Sequence, residues 1–192
     1  MGLDQYLYAT QHIVNYSHDP AGALLANKLI ATMAEATGVG IDRLAESNNI
    51  IEVRYTAAYW RKANAVHRWF VTHVQEGNDD CGTYHVGRET LEHLASVCDQ
   101  LLTGVEVETG TIHVGTTYSQ AEGAIAITEE GPVIANPELA ERLLPTTEGF
   151  FFGSTAYNRY YLEDVTYTRD RLREVLGITE GHPIYFEYHS SW

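Results

Sequence analysis

The side chains best suited to recognition chemistry stand close together at Trp60, Arg61, Asn64 and His67. An indole can stack on a nucleobase, an amide and an imidazole can hydrogen-bond its edge, and a guanidinium can meet a phosphate. Taken singly, each has a plainer reading. Trp60 belongs in a core, His67 is a half-buried spacer, and Asn64 and Arg61 are solvated, since Trp and His are commonly half-buried. Taken together, they form a candidate ligand-binding edge. A second cluster follows an apolar run, at Gly153, Ser154 and Thr155, with Tyr157, Tyr160 and Tyr161 just beyond. It lacks the lysine of a GxxxxGK[ST] phosphate loop, so a P-loop is rejected. A strand end bearing a glycine, two hydroxyls and free N–H groups could still hold a phosphate or a ribose. The plainer reading is a turn whose Ser and Thr cap the next helix. Tyr6 and Tyr188 are further aromatic partners for such a pocket.

Catalytic constellations are sparse. Asp79 and Asp80 with His67 could form a hydrolytic set, and Cys81 with His67 or His85 a Cys–His pair. The chain has nine histidines but no HExxH, CxxC or HxH spacing, so the metal signal is poor. It has no GxSxG elbow. His189-Ser190-Ser191 matches one H-x-S/T motif, but a phosphodiesterase of that kind needs two. The non-enzymatic reading is therefore preferred, with a nucleotide hydrolase as the alternative. Neither a cofactor nor a stoichiometric metal is expected.

These residues need elements to hold them. The stretch 56–81 reads as a long amphipathic helix, capped by Thr56 and stopped by Gly77 and Asn78. On a helical wheel Tyr59, Ala63, Val66, Phe70 and Val74 form the core face. Arg61, Ala65, Arg68 and Thr72 face water, and Trp60, His67 and Asn64 line one border. Residues 3–9 and 50–55 read as strands, with a loop over 11–20 and a short helical turn over 41–49. Residues 21–37 read as a helix with Leu24, Leu25, Leu29 and Met33 on one side, and 88–102 as a second amphipathic helix. A short strand is expected at 83–86. Residues 105–118 and 124–135 alternate and read as a β-hairpin insertion, broken at Gly131-Pro132. Residues 137–144 form a short helix, and 149–154, GFFFGS, suits a buried strand. Helices are expected at 158–164 and 168–176, the second capped by Thr168, and a last strand at 184–189. Trp192 is expected to dock on the body or on another subunit. Helices and strands intersperse without a βαβ rhythm, which predicts a single α+β domain over 1–192, with a mostly antiparallel sheet and packed helices.

Composition narrows the partners. The 192 residues carry a formal net charge of −14, and Lys28 and Lys62 are the only lysines. Such a charge repels a phosphate backbone, so general DNA or RNA binding is not expected. A small anionic ligand is compatible, because one local arginine can dominate a closed pocket. The acidic residues are scattered rather than arrayed, which ranks a nucleic-acid mimic that blocks a DNA-binding partner lower. An acidic inhibitor that binds another protein by surface charge stays as an alternative. No apolar run reaches the roughly 18 residues of a membrane span. The first residues lack a basic region followed by an apolar one. A cytoplasmic protein with no membrane partner is expected. Cys81 and Cys98 do not make a disulfide framework. A subunit interface could close the pocket, so a homo-oligomer is allowed for.

The segments MGLDQYLYA, YWRKANAVHRWF, DDCGTY, GFFFGSTAYNRYY and the terminal SSW together resemble a family of small accessory proteins encoded by tailed bacteriophages. The resemblance covers both ends and the centre of the chain, and residues 105–135 carry none of it. It brings no enzymatic activity with it. Phage accessory proteins of this size often antagonise host defence. One class, the anti-CBASS and anti-Thoeris sponges, sequesters cyclic or ADP-ribose-type nucleotide signals without cleaving them. By analogy of class rather than of motif, the resemblance implies a nucleotide-binding protein acting in the host-cell cytoplasm. Tyr6, Trp60, Arg61, Asn64, His67, Gly153, Ser154, Thr155, Tyr157 and Tyr188 are its expected binding residues.

Overall fold

A computed structural model describes residues 2–14, 18–38, 40, 50–120 and 123–192. The elements in chain order are β1 (Asp4–Val14), α1 (Pro20–Thr37), β2 (Ile50–Arg61), α2 (Asn64–His73), β3 (Thr83–Val86), α3 (Arg88–Gly104), β4 (Val107–Ser119), β5 (Gly123–Ile134), α4 (Glu138–Leu143), α5 (Arg159–Ile178) and β6 (Ile184–Ser191). The main sheet has the order β2-β1-β6-β3 and is antiparallel throughout. The α+β architecture expected from the sequence is the one observed. The short helical turn expected at 41–49 lies outside the described residues.

The sheet has one packed face. Leu7 and Ala9 of β1 pair with Tyr188 and Phe186 of β6, and all four are buried against α2, α3 and α5. Leu91, Leu94, Cys98 and Leu101 of α3 meet Val165, Leu172 and Val175 of α5 in the same core. The opposite face carries Tyr6, Tyr8 and His189. There Tyr6 stacks on Tyr8 at 5.8 Å and on His189 at 6.2 Å, and Tyr59 leans on Tyr6 at 5.2 Å. This alternation follows from the two-residue period of a strand.

The long helix expected over 56–81 is the largest correction. Residues 56–61 belong to β2, and the helix begins only at Asn64. Pairing with β1, in the register Tyr6↔Tyr59 and Tyr8↔Thr56, overrides the helix-forming residues of this stretch. A bulge between those pairs turns both Ala57 and Ala58 inward, which hides the strand period in the sequence. Lys62 then reverses the chain at φ +62°, and Ala63 opens α2 without a side-chain cap. Thr56 therefore caps nothing. Tyr59, expected in the core, is 41 % exposed, whereas Ala65, expected in water, is buried. α2 ends at His73, before the expected Gly77 and Asn78.

Other boundaries shift for local reasons. β1 runs on through Val14 into the expected loop. α1 buries Ala26 and Ile30 instead of its leucines and Met33. Gly22, Ala26 and Ile30 recur every four residues, and a Cβ on Gly22 would stand 2.8 Å from the Val14 carbonyl oxygen, so the helix approaches β1 along this small-residue row. The expected hairpin is present, but it is not broken at Gly131-Pro132, which pair with Gly110 and Thr109. A two-stranded ribbon has two open edges, where proline is tolerated. The two expected helices at 158–164 and 168–176 are one, α5, capped by Asn158, and Thr168 lies inside it. GFFFGS is not a strand. Phe151 at φ +66° and Gly153 at φ +93° bend it into a loop, with Phe150 80 % exposed and Phe152 buried. No helix among the described residues is long and apolar enough to cross a membrane.

Candidate functional site

Three of the expected binding residues hold the interior together instead of facing a ligand. Trp60, with 2 % of its surface exposed, donates its indole N–H to Thr168 Oγ1 at 2.8 Å. Its burial against α5 follows from its place on the inward face of β2. His67, 1 % exposed, lies between Asp79 Oδ2 at 3.1 Å from Nε2 and the Tyr188 hydroxyl at 2.9 Å from Nδ1. Tyr188 donates to Gln5 Oε1 at 3.1 Å, and Gln5 donates to the Ala63 carbonyl. Asp79 also accepts from the Trp192 indole N–H at 3.1 Å. The chain of bonds ties β1, α2, β6 and the 79–81 turn together, and it docks Trp192 on the body beside Phe152. Burial pushes the Tyr188 hydroxyl well above the ordinary tyrosine range, so it remains a neutral donor.

Of the hydrolase set, His67 and Asp79 meet but Asp80 does not join them. Asp80 turns away from His67 and accepts from Gly82 N at 2.9 Å and from Tyr84. Those bonds, the Gly82 N–H first, hold its carboxyl below the usual range. Among the described residues, no three His, Cys, Asp or Glu side chains converge as a metal site would require. Cys81 is partly exposed and Cys98 is buried, its thiol pushed up to about 12 by burial.

A cleft of about 410 Å³ does gather several of the expected residues. One wall is the exit of β2 and the start of α2, with Arg61, Lys62 and Asn64. The other is the 153–156 loop and the first turns of α5, with Ser154, Tyr160, Glu163 and Asp164. His113 and Val114, at the bulge of β4, close a third side. Two local features shape it. A Cβ on Gly153 would sit 3.1 Å from Lys62 Cβ and 3.2 Å from the Lys62 carbonyl oxygen, so only glycine admits this approach. Asn64, 3 % exposed, donates to the carbonyls of Phe152 at 3.2 Å and Ser154 at 2.8 Å and accepts from Thr147 N at 3.2 Å. It therefore buttresses the wall, and its hydrogen-bonding capacity is largely used up by protein.

Arg61, Asn64, Gly153 and Ser154 thus line the cleft as expected, though Asn64 as a support. Thr155 is exposed beside it and holds Thr146 through its carbonyl. Tyr157 is half-buried, its hydroxyl accepting from Thr146 N. Tyr6 lies on the far face of the sheet, away from α2, and Trp60, His67 and Tyr188 are interior.

The sequence reading missed Lys62, His113, Glu163 and Asp164. Asp164 is the most informative. It sits three residues after buried Tyr161 and four before buried Thr168, on the inward side of α5. A carboxyl at a core-facing helical position is a signal readable from sequence alone. Among the described residues, Arg61, Lys62, Glu163 and Asp164 have no side-chain hydrogen bond or ion pair. Burial first, and the charge of Glu163 second, raise the Asp164 carboxyl to about 7. The cleft therefore offers two unpaired cations at one wall, an enclosed unpaired carboxyl at the other, and an exposed tyrosine ring between water and pocket.

Compared with protein family models, with curated proteins and with solved structures, the chain matches none.

Proposed function

We propose that this chain is a phage-encoded nucleotide-binding protein that sequesters a host defence signalling nucleotide without cleaving it. The observation that carries the reading is the cleft, which sets Arg61 and Lys62 opposite the carboxyl of Asp164, none of the three ion-paired among the described residues. A nucleotide has the matching polarity, with an anionic phosphate at one end and a base rich in N–H donors at the other. A volume near 410 Å³ falls in the range of small-ligand pockets. Tyr160, 40 % exposed at the rim with the Arg159 guanidinium over its ring at 4.7 Å, is the aromatic that a base would stack on once Arg159 yields or on the ring's other side. The phage origin rests on the sequence resemblance alone. The preference for capture over cleavage rests on where the candidate hydrolytic residues lie: His67 is buried against Asp79, Asp80 turns away to Gly82, and none of the three lines the cleft.

The test is to incubate the purified protein with a nucleotide panel, separate it, heat-denature it and assay what is released. Intact nucleotide supports sequestration. An altered product points to the hydrolase. No retention of any nucleotide removes the reading in favour of an acidic protein that binds a host protein.

A further inference from the structure

The nucleotide reading leaves the base unspecified, and the cleft has a group that reads bases. We propose that Asp164 selects guanine, its carboxylate accepting from the N1–H and the 2-amino group on the Watson–Crick edge. This rests on the nucleotide reading of the cleft and goes beyond it.

The reasoning is one of complementary hydrogen bonding. An ionised carboxylate has two acceptor oxygens and no donor. Guanine alone among the common bases presents two adjacent N–H donors on that edge. Adenine presents an acceptor at N1 beside the 6-amino donor, so one carboxylate oxygen would face a lone pair. Asp164 lines the cleft, is half-buried, and spends neither oxygen on the protein among the described residues. The backbone carbonyl of Asp164 is occupied by Thr168, which fixes the helix but leaves the side chain free. Other polar groups nearby are already committed. Asn64 is spent on the 147–154 wall, the Tyr161 hydroxyl donates to the Leu144 carbonyl, and Ser154 Oγ accepts from Ala156 N. Asp164 and Glu163 are the anionic acceptors left, and Glu163 is the more exposed of the two. With the base at Asp164, the phosphate reaches toward Arg61 and Lys62 across the cleft.

The protonation state then controls selectivity. The charged and titratable groups that face Asp164 around the cleft are Glu163, Tyr160 and Tyr161 of α5, Arg61 of β2 with Lys62 after it, and His113 of β4. A carboxyl held near neutrality gains a proton on mild acidification. The neutral acid can donate to N1 of adenine and accept from its 6-amino group. Preference for guanine should therefore be largest above pH 7 and shrink below it.

The experiment is calorimetric titration of the full chain with GMP, IMP and AMP at pH 8, repeated with Asp164→Asn. A bidentate base contact is worth about one to two decades in affinity. GMP should bind that much tighter than AMP, with IMP between them because it lacks the 2-amino group. In Asp164→Asn the amide can pair with adenine through N1 and the 6-amino group and with guanine through O6 and N1–H, so the GMP preference should be lost, with circular dichroism unchanged. Equal binding of GMP and AMP by the wild type overturns the assignment and leaves nucleotide capture standing. So does an unchanged GMP preference in the variant. Failure of the wild type to bind any nucleotide, UMP and CMP included, removes both readings together.

Discussion

Asp164→Asn should stabilise the protein at pH 8, because it deletes a charge from the half-buried, inward side of α5. The carboxyl rises from its ordinary value of 3.8 to about 7 on folding, chiefly because burial penalises its charged form. Three pH units correspond to a ceiling of about 4 kcal/mol. The side chain is only half-buried, so water offsets part of this, and we expect about 2 kcal/mol. The sign follows from proton counting. Between pH 4 and 7 the folded state binds more protons at this site than the unfolded state. The contribution of Asp164 is therefore fully favourable below pH 4 and is lost as pH rises through 7. Asparagine has no proton to lose and nearly the same shape. The variant and wild type should melt alike near pH 4, then diverge, with the variant about 4–8 °C higher at pH 8 for a chain of this size. Only the difference between the two curves matters, since other carboxyls titrate equally in both. A difference that stays flat from pH 4 to pH 8, or a variant that melts lower at pH 8, would refute the reasoning. Such a stability cost at an unpaired cleft carboxyl is what a binding site commonly carries.

Arg61→Ala should weaken nucleotide binding and reduce the salt dependence of what remains, as measured by calorimetry at two ionic strengths. Phe70→Ala should cost about 3–5 kcal/mol in denaturant unfolding, because Phe70 is fully buried and stacks on Tyr188 at 4.0 Å. Arg68→Ala should cost no more than about 1 kcal/mol, since it loses one exposed bond to the Thr146 carbonyl. Gly153→Ala should lower affinity and stability together, because alanine is strained at φ +93° and meets Lys62; an unaffected variant would show that the loop relaxes freely. A thiol reagent at pH 8 should label Cys81 in the native protein and reach Cys98 only on unfolding, because burial keeps the Cys98 thiol protonated.

Much of the fold was readable where patterns are local. The alternation of 105–135 announces its hairpin, and Leu91, Leu94, Ala95 and Cys98 announce α3 at helical spacing, although the face ends on Leu101 and not on the expected Leu102. The failures are places where distant partners decide. Residues 56–61 carry helix-forming residues but pair with β1, and the bulge at Ala57 erases the two-residue period that would have revealed it. The site was half legible for the same reason. Arg61, Asn64, Gly153 and Ser154 were singled out, and they do meet at the cleft. Trp60 and His67 were placed on a helix border together, but Trp60 belongs to a strand and His67 to a buried bond network. Asp164 is easily missed in the sequence because it follows Glu163 in a helix that also carries Arg169, Asp170, Arg171 and Arg173, where a carboxyl ordinarily belongs to a solvated face.

The pairing of β1 with β6 has a consequence for how the molecule is made. Gln5 faces Ser190 in the middle of the main sheet, the Tyr188 to Gln5 hydrogen bond spans 183 residues, and the Trp192 to Asp79 bond spans 113. During synthesis β1 and β2 can form an early ribbon, but the second edge of β1 has no partner until β6 has left the ribosome. Closing so long a loop is entropically costly, although the cost grows only slowly with length. Contacts of such high separation slow folding and leave apolar strand edges open in the meantime. Folding should therefore be limited by the docking of β6, the one step that closes the sheet. An exposed intermediate lacking β6 is the species expected to need chaperones.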